Sequence, residues 1–176
     1  MAKRRSNNVY TFFVDSDSEF LDDLLEGFHE KDKIETRSFY SVDDFLPYLQ
    51  QANFTGQYIV ILFMGYYFES TMADESKEMG IVALKKIKEM YPEAHVVMMS
   101  REEELIIKSK ALRFGAQEVL IKNELIDLRI SNLVHKIISY KRLDFLRHRV
   151  YSVSWIFLAY LAIASLIVYF FSKIQS

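Results

Sequence analysis

The sequence predicts an α/β domain, a doubly wound five-stranded parallel sheet, followed by a single transmembrane helix. Three observations predict it. Apolar runs of strand length alternate with helix-periodic segments between about residues 9 and 138, the order that builds a parallel sheet with helices on both faces. Those runs are nearly unbroken rather than alternating, as expected of strands buried on both sides. Residues 150–171 then carry no charge at all, and as a helix they would extend about 33 Å, enough for a bilayer core.

The first strand is Val9 to Val14, VYTFFV. Asp17 or Ser18 caps a helix reaching Phe28, with Phe20, Leu21, Leu24, Leu25 and Phe28 at helical spacing. Ile34 to Phe39 is a weaker strand suited to a sheet edge. Ser41 and Asp44 form a capping box that opens a short helix around Phe45 to Leu49, despite Pro47. Tyr58 to Met64, YIVILFM, is the most apolar run before residue 150 and reads as the central strand. A long acidic segment precedes a helix from Gly80 to Met90. His95 to Met99 is the fourth strand, and Arg101 to Phe114 a helix closed by Gly115. Val119 to Lys122 is the fifth strand. A last helix starts near Glu124, with Ile126, Ile130, Leu133, Val134, Ile137 and Ile138 on one side.

The expected layout is therefore a basic tail over 1–8, the α/β domain over 9–140, a basic juxtamembrane helix over 141–149, the span over 150–171 and a short tail over 172–176. Lys141, Arg142, Arg147 and Arg149 precede the span and Lys173 alone follows it, which orients the N-terminal domain to the cytoplasm. The expected location is thus the cytoplasmic (inner) membrane, crossed once, with the lipid bilayer a partner of the C-terminal helix. Tyr151, Trp155 and Tyr169 suit the interfaces. Ser152, Ala159, Ala162 and Ser165 allow close helix packing and hence a homo-oligomer, although they form no small-xxx-small pair. A net charge of −2 gives no global field for nucleic acid, and none is expected as a partner. The absence of cysteine excludes disulfides and thiol chemistry, and the four histidines show no metal-ligand spacing. No cofactor and no metal site is expected.

The strand ends carry a resemblance. Asp15 in FVDSDSEF resembles the acidic turn of response-regulator receiver domains, and Ser100, ending MMS, is similar to their Thr/Ser position. FGAQEVLIKN resembles their Gly-Ala, strand and lysine segment, which puts Lys122 on the family's lysine, and Gly80 matches the glycine opening their third helix. The resemblance covers about residues 8 to 138. It implies a flavodoxin-like sheet of order 2-1-3-4-5 and a role in two-component signalling.

Departures accompany the matches. Aligned on the family's central strand, Phe63 takes the place of the phosphoryl-accepting aspartate, and Ser16 that of the second Mg²⁺-binding carboxylate. Asp15 remains, and the orientation of Asp17 is open. Asn123 replaces a proline and Val119 the switch aromatic. Asp15 with Lys122 reads as a residual active site or as a charge pair, and without an acceptor the pair is the simpler account. Ser100 reads as an anion contact or, more simply, as the cap of a helix beginning at Arg101. In the long loop after the central strand, Tyr66, Tyr67, Phe68, Asp74 and Glu75 are candidate contacts for a protein partner. The expectation is a non-enzymatic, membrane-anchored pseudo-receiver with no catalytic residue, acting as a scaffold or regulatory subunit. Its rivals are an active phospho-receiver using a displaced acid, Asp15 or Asp17, and a nucleotide-binding enzyme, which lacks a Gly-rich phosphate loop after the first strand.

Overall fold

The computed structural model describes residues 8–27, 34–54, 58–68, 79–102, 105–141 and 143, together with 155, 157, 160, 161 and 163. Nine elements follow in order: β1 (Asn8–Val14), α1 (Ser18–Gly27), β2 (Ile34–Phe39), α2 (Val42–Gln51), β3 (Tyr58–Gly65), α3 (Met79–Met90), β4 (His95–Ser100), α4 (Leu105–Arg113) and β5 (Glu118–Ile121). A further helix, α5, occupies 126–141. The strands form one parallel sheet of order β2-β1-β3-β4-β5, the order that the resemblance implied.

The apolar runs place the strands because a parallel strand between two helical layers buries both faces. β3 does so along almost its whole length, with Ile59 to Gly65 all buried, and it lies at the centre. β2 lies at the edge, and its Glu35, Thr36 and Arg37 are exposed. Alternate residues of a strand point to opposite faces. Phe12, Val14, Val60, Leu62, Met64, Val96 and Met98 thus share one layer with Val42, Phe45 and Leu49 of α2, Ile81, Leu84 and Ile87 of α3, and Ile107 and Ala111 of α4. The buried residues outside that layer include Phe13 and Phe63, Leu21 and Leu24 of α1, and Ile126, Ile130 and Val134 of α5. An aromatic group fills the β2–β1 end of the first layer, where Phe12 lies within 5.7 to 6.4 Å of the rings of Phe39, Phe45, Tyr48 and Phe54.

Helix ends follow their sequence signals. Ser41 caps α2, its hydroxyl oxygen accepting from the Asp44 amide at 3.1 Å and its hydroxyl donating to the Asp44 carboxylate at 2.7 Å. The helix is longer than its sequence suggested because Pro47 faces solvent, where the carbonyl it leaves unbonded can be hydrated. α4 ends in a Schellman motif: the amide of Ala116 donates to the Ala111 carbonyl at 3.0 Å and that of Gly115 to the Leu112 carbonyl at 3.1 Å. The motif needs a left-handed residue at 115, and Gly115 has φ +97°.

The chain divides into two compact units, Met1–Ile137 and Ile138–Ser176. In the second, the described residues are helical, and Trp155, Phe157, Tyr160, Leu161 and Ile163 are exposed. Among the described residues, no helix is long and apolar enough to cross a membrane. Most of the expected span over 150–171 lies outside them, as do Arg142, Arg147 and Arg149; Lys141 is in α5.

Replacing Gly115 by alanine forces a side chain into the left-handed region and against the Lys88 stem, 3.3 Å from the added methyl. The expected loss is about 1–2 kcal/mol, read from the urea midpoint.

Candidate functional site

The carboxyl ends of β1, β3, β4 and β5 meet at one edge of the sheet. Register fixes who faces whom. Val14 pairs with Met64, so the next residues, Asp15 and Gly65, come side by side. Gly65 pairs with Met99, and Ser100 with Ile121, which puts Lys122 one residue past the end of β5. Backbone bonds hold both ends of the charge pair, from the Asp15 amide to the Phe39 carbonyl at 3.1 Å and from the Lys122 amide to the Ser100 carbonyl at 2.8 Å.

The Lys122 ammonium lies 2.7 Å from Asp15 Oδ2, with the Asp15 side chain 2% exposed and that of Lys122 10%. It also stands 4.3 Å from the centre of the Phe20 ring, whose negative face favours a cation. The other Asp15 oxygen, Oδ1, accepts from the Asp17 amide at 3.1 Å and so tightens the turn that starts α1. The pair is therefore buried on both sides, and each charge is matched by the other.

Asp17 has a separate task. It caps α1, its Oδ1 accepting from the Phe20 amide at 3.2 Å, and its Oδ2 is bound by the Arg101 guanidinium in an ion pair that joins the β1–α1 turn to the β4–α4 turn. Burial pushes its pKa up, but the hydrogen bond from Arg101, the Phe20 amide and the charges of Lys122 and Arg101 outweigh that, and Asp17 titrates below the usual 3.8.

Solved structures of the same shape are response-regulator receivers. The Salmonella typhimurium response regulator RcsB is 13% identical, with a TM-score of 0.62 over 76% of this chain and 61% of that one. A response regulator receiver protein from Pseudoalteromonas atlantica is 16% identical, with a TM-score of 0.59 over 75% of this chain and 98% of that one. The BeF3-activated receiver domain of DrrB, a Thermotoga maritima protein, is 19% identical, with a TM-score of 0.54 over 72% of this chain and 97% of that one. The first unit has the receiver fold. No protein-family model matches the sequence, and neither does any curated protein sequence. The chain spans about three fifths of the RcsB length, and at these identities the likeness is one of fold alone.

Within this receiver fold, three sequence-based placements are corrected. Phe63 is not at the end of the central strand. β3 runs two residues further, and Phe63 pairs with Phe13 inside the sheet, their rings stacked at 5.1 Å. The residue beside Asp15 is Gly65, where an added Cβ would come 2.6 Å from Asp15 Oδ2. The carboxylate itself thus occupies the space a side chain would need. Ser100 does not cap a helix at Arg101, because α4 begins at Leu105; its hydroxyl oxygen instead accepts from the Glu102 amide at 3.1 Å, closing a local turn. Tyr66 and Phe68 belong to the core, being 4% and 5% exposed, and the Tyr66 amide extends the sheet by donating to the Met99 carbonyl at 2.8 Å. Tyr67 is exposed, whereas Asp74 and Glu75 lie outside the described residues.

Ser16 is half-buried beside Asp15, Val119 lies in β5, and the Asn123 side-chain oxygen accepts from the Leu125 amide at 3.2 Å ahead of α5. Gly80 sits so close to the β3 end that a Cβ there would strike the carbonyls of Gly65 and Tyr66. Sequence reasoning missed Gly65, Phe20 and Arg101 as members of the site. The glycine closing an apolar run was a signal for the first, but nothing local marks the other two.

Lys122→Ala strands a buried carboxylate and should cost about 3 kcal/mol. Lys122→Met with Asp15→Asn removes both charges and should cost clearly less. Urea unfolding of both variants distinguishes a buried pair from two independent surface charges.

Proposed function

We propose that this protein is a receiver-fold interaction module that takes no phosphoryl group and works as a scaffold or regulatory subunit at the cytoplasmic face of a membrane, anchored by residues 150–171. The observation that carries the reading is that the Asp15 carboxylate takes up the space a side chain at Gly65 would need, a Cβ there coming 2.6 Å from Oδ2. Phosphotransfer to an aspartate of such a site needs a free carboxylate nucleophile, a metal to neutralise the phosphoryl oxygens and a cation to hold the product. Lys122 supplies a cation, but its charge is already matched by Asp15 at 2.7 Å. The neighbouring strand end offers a glycine, and the gap its missing side chain leaves is filled by the Asp15 carboxylate.

The other acid at the edge fits an acceptor poorly. Both oxygens of Asp17 are engaged, one as the cap of α1 and one with Arg101. A carboxylate held so serves the two turns it joins. Asp15 and Asp17 could share a divalent cation only by giving up Lys122 and Arg101, and Mg²⁺ demands near-octahedral oxygen ligation. A binding role suits what is left: a rigid scaffold with exposed helices.

Intact protein in mild detergent, incubated with Mg²⁺ and acetyl phosphate or beryllium fluoride, should change neither in mass nor in melting temperature. Beryllium fluoride is an informative probe because the DrrB receiver domain of similar fold takes BeF3 in its activated form. A ligand at a hundredfold excess over its dissociation constant would stabilise the fold by about 2.7 kcal/mol. A phosphoryl adduct on Asp15 or Asp17, or a rise in melting temperature, would replace this reading by that of an active receiver.

Anchoring is tested separately. The full chain should stay in the membrane pellet after alkaline carbonate washing, while a chain ending at Tyr140 should be released. A reporter that works only outside the cytoplasm should be active when fused after Ser176. Release of the full chain by carbonate would remove the membrane from the proposal.

A further inference from the structure

Charge is sorted along the sheet. The helices that serve the β2–β1 end carry carboxylates alone: Glu19, Asp22, Asp23 and Glu26 in α1, and Asp43 and Asp44 in α2. Those that serve the β3–β5 end are the reverse. α3 carries Lys85, Lys86 and Lys88 against Glu89, and α4 carries Lys108, Lys110 and Arg113 with no acid. All six carboxylates are exposed, as are Lys85, Lys86, Lys108 and Arg113.

Helix stability accounts for only part of the sorting. The macrodipole favours acids in a first turn and cations in a last turn, which covers Glu19, Asp43, Asp44, Lys88, Lys110 and Arg113 and leaves Asp22 and Asp23 uncovered. It does not cover Lys85, Lys86 or Lys108, and Glu26 stands in the last turn of α1, where the dipole disfavours an anion. Lys88 has a local use, donating to the Ala94 carbonyl at 2.7 Å. Lys85 stands over the Phe114 ring at 4.0 Å from its centre, while Lys86, Lys108 and Arg113 are exposed and add to a positive surface.

We propose that the domain self-associates head to tail, the acidic α1–α2 side of one copy docking on the basic α3–α4 side of the next. A second copy matches both sides at once. An anionic lipid surface would match the basic side and leave the acidic side unexplained. The net charge of −2 over the whole chain imposes little general repulsion between copies, so the complementary faces decide the encounter. Each side also offers some apolar area: Tyr40 on the acidic side, and Val82 and Leu112 on the basic one, each between 42% and 49% exposed. Because the two patches differ, the contact is heterologous and builds chains or closed rings rather than twofold dimers. This inference rests on the charge sorting and is independent of whether the site takes a phosphoryl group.

Full-length protein in mild detergent, one population labelled, would be followed by sedimentation velocity with three forms: unaltered, Asp22→Lys with Asp23→Lys, and Lys85→Glu with Lys108→Glu. Each reversal should weaken self-association at least about tenfold, and mixing the two should restore it, since the first form keeps an unaltered basic side and the second an unaltered acidic one. Association of the unaltered chain should fall as salt rises from about 50 to 500 mM, because exposed charges are screened over a few ångströms at the upper end. Far-UV circular dichroism checks that each form is folded, and the milder pairs Asp22→Asn with Asp23→Asn and Lys85→Gln with Lys108→Gln replace any form that is not. Association unchanged by reversal or by salt would overturn the proposal, and so would folded reversed forms that fail to recover on mixing. Loss of capture on phosphatidylserine vesicles by Lys85→Glu with Lys108→Glu, with self-association intact, would overturn it in favour of a lipid surface.

Discussion

The buried pair of Asp15 and Lys122 is the interaction around which the carboxyl edge of this sheet is arranged. A carboxylate 2% exposed costs several kcal/mol to desolvate unless a cation meets it, and here the cation must come from the far side of the sheet. That need sets several neighbours. β5 has to end where the Lys122 stem can reach back across two strands. The Phe20 ring covers the ammonium, which fixes how α1 lies on the sheet. The strand beside Asp15 has to end in a residue without a side chain, which Gly65 supplies. One charge pair thus accounts for the identity of a lysine, an aromatic and a glycine that are far apart in sequence.

The second ionic link at this edge is of a different kind. Arg101 and Asp17 join two turns at the surface, with the Arg101 side chain 72% exposed, and water screens such a pair to about 1 kcal/mol or less. Its value is geometric. It holds the β4–α4 turn near the start of α1, while the turn itself is closed by Ser100 and the Glu102 amide. Stability at this edge comes from the buried pair, and the relative placement of the turns from the exposed one.

The strands were legible because both their faces are buried, which leaves runs such as YIVILFM with no polar interruption. The same feature hid the end of β3. A run without alternation carries no internal ruler, so the resemblance puts Phe63 at the acceptor position, and the register to Asp15 emerges only from the pairing of Val14 with Met64. Tyr66 and Phe68 follow a glycine and precede an acidic stretch, which reads as loop, yet both sit against the core. The start of α4 at Leu105 is hidden in the sequence because Ser100 and the acids after it mimic a cap and a first turn. Asp15 and Lys122 were recoverable as a pair from their strand-end positions. The contact of Arg101 with Asp17 was not, since it joins two turns with no shared local pattern.

The pairing of β1 also governs the order in which this domain can assemble. Asn8 aligns with Tyr58, and the strand between them in sequence, β2, lies on the opposite side of β1 at the sheet edge. As the chain leaves the ribosome, β1 and β2 can meet early, but a two-stranded pair is marginal in water. β1 keeps one open side until β3 emerges, and closing that long loop is the entropic toll of a parallel sheet. The strand made first, with Phe12 and Phe13 pointing to opposite layers, is therefore the one that waits longest with apolar surface uncovered.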